Sequence, residues 1–214
     1  MKKLFAIVFL CFAVCAYAGP DIEFSPGGSN PGYWSYQGST STSGTFSFVQ
    51  DVDIDFVQSA QTDALYDQFV FIPDLLLTNY VGGGGTGSGG VTTSGLVQIK
   101  DGSGNVLLSG TLADGSYQAI YTTSVIYPEG VLEGAVDIEV LTVNNTINSA
   151  FLDTVSVGDY FDLNLTLQGS SNFDSMIEGV GTGSNGFSGS MTIIPEPATM
   201  CLMALGGLLL RRKK

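Results

Sequence analysis

Residues 43–58 read SGTFSFVQDVDIDFVQ. Phe46, Phe48, Val52, Ile54 and Phe56 alternate with polar residues, so an extended chain here has one apolar and one polar face. That is the signature of a half-buried β-strand, and a change of register near Gln50 predicts a bulge. The same kind of segment recurs in both directions. DQFVFIPDLLLTNY (67–80) reads as a second strand that Pro73 must bulge, place at an edge or break. In GLVQIKDGSGNVLLSGTL (95–112), Leu96, Val97 and Ile99 pair with Val106 to Leu108 across the turn Asp101 to Asn105, which makes a hairpin. SYQAIYTTSVIY, GVLEGAVDIEVLTV, SAFLDTVSV, YFDLNLTLQG and GFSGSMTII continue the series, with turn signals at Pro128-Glu129-Gly130 and Gly158-Asp159.

Two stretches read as loops rather than strands. VGGGGTGSGGVTTSG (81–95) and SPGGSNPGYWSYQGSTSTSG (25–44) are rich in glycine and serine and offer little side chain to pack. SAQTDALYDQ (59–68) is the best helical candidate, and no internal repeat is present. About eight to ten short strands at this spacing predict an all-β fold, a single β-sandwich of jelly-roll or immunoglobulin-like type.

The ends of the chain are processing segments. Lys2 and Lys3, an apolar run from Leu4 to Val14 and the triplet Ala16-Tyr17-Ala18 form a secretory signal peptide over residues 1–18, with cleavage after Ala18. The folded body is expected over residues 19–194, and a separate segment over 195–214. Six of the seven cations lie in the two end segments. The body keeps Lys100 against 19 of the chain's 20 carboxylates, a charge of −18. Nucleic acid is excluded as a partner, because phosphates would be repelled by such a surface and no basic patch exists. Cys11, Cys15 and Cys201 also fall in the end segments, so the body has neither thiol nor disulfide.

The chain has no histidine. Ser-His-Asp and Cys-His catalysis and histidine-ligated zinc are therefore excluded. A catalytic site would have to be built from carboxylates, as in a glycoside hydrolase. Glu133, Asp137 and Glu139 would share one face of a strand, with Glu129 nearby, and a solvated acidic face explains them without chemistry. Asp51, Asp53 and Asp55 begin like a calcium-binding EF-hand loop, but Phe56 stands where glycine is needed and Thr62 where the bidentate glutamate belongs. An acidic strand face is the preferred reading, so no cofactor is expected and calcium is the one candidate. Tyr33, Trp34 and Tyr36 lie within four residues beside hydroxyls, a composition that stacks on sugar rings when exposed and plugs a core when buried.

IIPEPATMCLMALGGLLLRRKK (193–214) ends the chain. Its uncharged stretch from Ala198 to Leu210 spans about 20 Å as a helix, against a hydrocarbon core of about 30 Å. Arg211, Arg212, Lys213 and Lys214 suit the cytoplasmic side of a membrane. The order Pro195-Glu196-Pro197, apolar helix, basic cluster resembles the PEP-CTERM sorting signal of Gram-negative bacteria. That resemblance implies recognition by an exosortase, a membrane transpeptidase. It also implies a transient inner-membrane stage and then delivery to the cell envelope, outer surface or medium of an exopolysaccharide-making cell. The first expectation is an exported, non-catalytic protein with a structural or interaction role at the cell surface or in the extracellular matrix. An exopolysaccharide-binding module using Tyr33, Trp34 and Tyr36 is the alternative, and a carboxylate-only glycoside hydrolase the third.

Overall fold

The computed structural model describes residues 21–25, 33–48, 51–58, 62–83, 86–93, 95–112, 120–123, 128–132, 137–168 and 173–194. Along the chain run the strands β1 (Asp21–Phe24), β2 (Tyr33–Thr40), β3 (Ser43–Phe48), β4 (Val52–Val57), β5 (Phe69–Phe71), β6 (Leu75–Gly83) and β7 (Thr86–Thr92). They are followed by β8 (Val97–Lys100), β9 (Val106–Leu112), β10 (Ile120–Thr123), β11 (Pro128–Leu132), β12 (Asp137–Val143), β13 (Tyr160–Gln168) and β14 (Thr182–Ile194). One short helix, α1 (Phe173–Glu178), sits between the last two strands.

All pairings are antiparallel, and they close into a ring. β1 with β2, β3 with β4, β5 with β6, β7 with β8, β9 with β10 and β11 with β12 are six long strands interrupted in mid-length. β13 and β14 are unbroken and paired along eight residues, from Tyr160↔Ile194 to Leu167↔Phe187. Two rings share that pair. A lower ring runs β1-β14-β13-β12-β9-β8-β5-β4, and an upper ring runs β2-β14-β13-β11-β10-β7-β6-β3. Each long strand therefore pairs with its neighbours in sequence, and the first pairs with the last. The architecture is a closed eight-stranded up-and-down barrel, not the expected jelly-roll or immunoglobulin-like sandwich. Alternation in sequence is the same in both folds. The deciding contact is the seam Asp21↔Thr192 to Phe24↔Gly189, between segments about as far apart as the body allows.

The inward positions are filled with apolar side chains. Ile22, Phe24, Trp34, Tyr36, Phe46, Phe48, Val52, Ile54, Leu77, Phe161, Leu163, Leu165, Phe187 and Met191 are all buried in one cluster. Phe24 and Phe48 meet the Phe187 ring edge-on, with centroids 6.4 and 5.0 Å away. At roughly 25 cal/mol per Å² of apolar area, burial of this kind is the main stabilising term for a body that has no disulfide. The barrel is filled by its own side chains, as eight strands allow.

Several local expectations are corrected. Asp55 is the bulged residue of β4, because Glu23 pairs with Phe56 but Phe24 with Ile54. The bulge turns Phe56 outward and Val57 inward, whereas Gln50 lies outside the described residues. The two glycine-rich stretches contribute strands β2, β6 and β7. Glycine serves close approach there: a Cβ on Gly89 would stand 2.9 Å from Leu77 Cδ1, and one on Gly44 would overlap the Tyr36 ring. SAQTDALYDQ forms turns where it is described, and SAFLDTVSV holds a 3-10 turn at Leu152–Thr154 rather than a strand. Pro128-Glu129-Gly130 belongs to β11 instead of a turn. Pro73 does break the chain, between β5 and β6.

Each end of the barrel has a plug. At the lower end, the connection after β4 and the one after β12 bury Leu65, Phe151 and Leu152. Asp63, itself buried, ties them together: Leu65 N–H donates to its Oδ1 and Phe151 N–H to its Oδ2, both at 2.9 Å. At the upper end, Met176 and Ile177 of α1 are buried. A Cβ on Gly183 would stand 2.3 Å from Met176 Sδ and 3.4 Å from the Trp34 ring, so α1 sits on the β2–β14 wall.

Candidate functional site

Across β13, β14 and β1 and between β2 and β3, rows of outward positions are polar, whereas Phe56, Leu76, Val81 and Leu141 are exposed elsewhere on the barrel. Along β13, Asp162, Asn164 and Thr166 are partly exposed between buried Phe161, Leu163, Leu165 and Leu167. Their partners on β14 are Thr192, Ser190 and Ser188. The rows continue to Asp21 and Glu23 on β1, while Ser35 on β2 meets Ser47 on β3. Thr192 Oγ1–H donates to Asp21 Oδ1 at 3.1 Å, and Asn164 Nδ2–H to Asp162 Oδ2 at 3.2 Å. Burial raises the Asp21 pKa, the hydrogen bond from Thr192 opposes that shift, and the neighbouring Glu23 charge adds to it. A transmembrane barrel shows lipid an apolar band and keeps its polar residues inside. These rows have the reverse arrangement. Among the described residues, no helix is long and apolar enough to cross a membrane.

The expected site residues are separated by the fold. Trp34 and Tyr36 face the interior, with the Phe46 ring centroid 6.0 Å from one and 4.9 Å from the other. Tyr33, between strands' polar rows, is 48% exposed. The three rings therefore do not form one platform; the alternation of β2 sends Tyr33 to the opposite face from Trp34. The Tyr36 hydroxyl is buried without a hydrogen-bond partner, and burial pushes its pKa up.

Asp51, Asp53 and Asp55 do not converge either. Asp51 lies 3.6 Å from Lys100 Nζ, which also stands 4.0 Å above the Phe71 ring. Asp53 is buried, and Asp55 accepts from Ser25 Oγ. Among the described residues, no three carboxylates are grouped so as to hold a metal ion. Glu129 lies on β11 and Asp137 and Glu139 on β12, so the acidic stretch is not one strand, and Glu133 lies outside the described residues. Asp101 is consumed by its own turn: Ser103 N–H, Asn105 N–H and Asn105 Nδ2–H all donate to it, and these bonds hold its pKa below the ordinary carboxylate value.

Ala16, Ala18, Pro195, Glu196, Pro197, Arg211, Arg212, Lys213 and Lys214 lie outside the described residues, as does the expected C-terminal hydrophobic helix. β14 delivers the chain to that segment. It remains paired through Ile194, so the tail leaves from the lower end of the barrel, beside β1.

Fold and tail together define an exported β-barrel with a C-terminal sorting segment. Residues 194–214 match the PEP-CTERM protein-sorting motif, as the resemblance of the tail implied. The tail thus carries a PEP-CTERM sorting signal, which implies recognition by an exosortase and supports export and membrane transit toward the cell envelope. No curated protein and no solved structure matches the chain.

Proposed function

We propose that this protein is a non-catalytic structural or interaction component of the cell surface or extracellular matrix, released to that place by processing of its PEP-CTERM tail. The observation that supports this reading most is the contrast between the two ends of its chemistry. The barrel interior is packed with apolar side chains, its β13–β14–β1 wall carries rows of serine, threonine, asparagine and carboxylate, and among the described residues no three carboxylates are grouped. The tail, by contrast, carries an address, with Pro195-Glu196-Pro197, an apolar run and a basic cluster in order. Replacement of Pro195-Glu196-Pro197 by alanines in the native host tests it. The precursor should then persist in the membrane with its RRKK end intact by mass spectrometry. Normal secretion of a shortened product from that variant would sink the reading.

The hydroxyl and amide rows on β13, β14, β1 and β2 favour a second reading, contact with exopolysaccharide. Tyr33 is then the ring available to stack on a sugar, while Trp34 and Tyr36 support the wall from inside. On a glycan array, Tyr33→Ala should weaken binding without lowering the melting temperature. Indifference of the unmodified protein to every glycan would discard it. On this reading Asp51, Asp53 and Asp55 hold no calcium, and a rise of several degrees in melting temperature at millimolar calcium would contradict that expectation.

A further inference from the structure

We infer that, while the tail is in the membrane, the lower end of the barrel is held against the bilayer surface and the upper end, with α1, points away from it. This rests on the tail acting as a membrane-inserted sorting segment. The argument is one of reach. β14 is hydrogen-bonded on β13 through Ile194, so Ile194 is fixed in the barrel wall. The uncharged run begins at Ala198, four residues on. An extended chain advances at most about 3.3–3.6 Å per residue, which limits the separation to about 14 Å. β14 has 13 residues, about 43 Å along the strand at 3.3 Å each. At a tilt of 35–45° the wall is about 30–35 Å tall. A tether less than half the height of the barrel, attached at one end, leaves that end facing the membrane.

The occupant of this surface is the lipid headgroup layer. The lower end presents Tyr66, Leu141 and Val157 at 46, 41 and 66% exposure, side chains suited to an interfacial zone. It also carries Asp67, Asp101, Asp153 and Asp159, which anionic headgroups repel. Apposition is therefore imposed by the tether, and cutting the tether lets the −18 body leave.

The test uses the full chain with Cys201→Ser, expressed in a Gram-negative host that lacks an exosortase. Val157→Cys reports the lower end and Thr42→Cys the upper, both exposed positions. Flotation on a density gradient comes first; a chain that does not float with membranes removes the tethering premise and the inference with it. In floating material, a membrane-impermeant 5-kDa maleimide (a size set by the assay, about that of a small protein domain) should label Thr42→Cys roughly tenfold faster than Val157→Cys. Inserting about 20 Gly/Ser residues after Ile194, a linker of about 25 Å root-mean-square length, should bring the two rates together. Floating protein whose two positions label at equal rates overturns the inference, as does a difference that survives the linker.

Discussion

Asp63→Ala should open the lower plug. Asp63 is 6% exposed, and its two oxygens each accept one backbone N–H, from Leu65 and from Phe151, at 2.9 Å. Hydrogen bonds to a charged acceptor contribute about 1.5–3 kcal/mol each, and a buried donor left unpaired costs about 1–3 kcal/mol. The Leu65 amide is local to its own turn and can find water more readily than that of Phe151, 88 residues away in sequence. The two losses together come to about 3 kcal/mol. For a body of this size each kcal/mol shifts the melting temperature by about 2–4 °C, so a fall of about 6–12 °C is expected. Asp63→Asn retains one acceptor oxygen and should lose about half as much. Thermal unfolding followed by circular dichroism measures the shift. Amide hydrogen exchange locates it, because Phe151 should lose protection while the β13–β14 amides keep theirs. A melting temperature within about 2 °C of the parent, with Phe151 still protected, would refute the assignment of Asp63 as the tie between the two connections.

Tyr36→Phe removes a buried hydroxyl with no partner, and a gain of about 1 kcal/mol in chemical denaturation is expected; a loss of that size would show that the hydroxyl is satisfied. Gly44→Ala places a methyl on the Tyr36 ring and should cost about 1–3 kcal/mol by the same measurement, with no change meaning that the β2–β3 spacing is looser than described. Asp21 has a raised pKa, so the folded state holds its proton more tightly than the unfolded chain does. Stability therefore falls as pH rises from the ordinary carboxylate range through that raised value, and is flat above it. Asp21→Asn should flatten this segment of the profile and raise the melting temperature at pH 7; an unchanged slope would exclude Asp21 as its source.

How far the sequence was legible follows from what periodicity encodes. The alternation in SGTFSFVQDVDIDFVQ identifies β3 and β4 and the inward Phe46, Phe48, Val52 and Ile54, because side-chain direction is local, but the bulge at Asp55 turns Phe56 outward against it. Alternation is silent on partners, and only partners distinguish a barrel from a sandwich. The seam joins Asp21 to Thr192, a pairing no window of residues contains. The glycine-rich strand β7 was illegible for a related reason. Glycine lowers strand propensity when judged alone, yet at Gly89 its missing side chain is what admits Leu77. Trp34 and Tyr36 carried the same ambiguity between surface and core until the neighbours of β2 were known. The tail stands apart: its charges, prolines and apolar run act in linear order, so the address could be read directly while the barrel could not.

The seam between β1 and β14 also sets an order of events. β14 pairs with β13, β1 and β2, and its last residue, Ile194, is the first residue of the matched sorting motif. The first strand to cross a membrane must therefore wait for the last, and ring closure of such separation is slow. Closure needs the chain up to Ile194, immediately ahead of Pro195-Glu196-Pro197. Any cut upstream of Ile194 would remove part of the strand that shuts the barrel. The residue that completes the barrel is also the one at which its address begins.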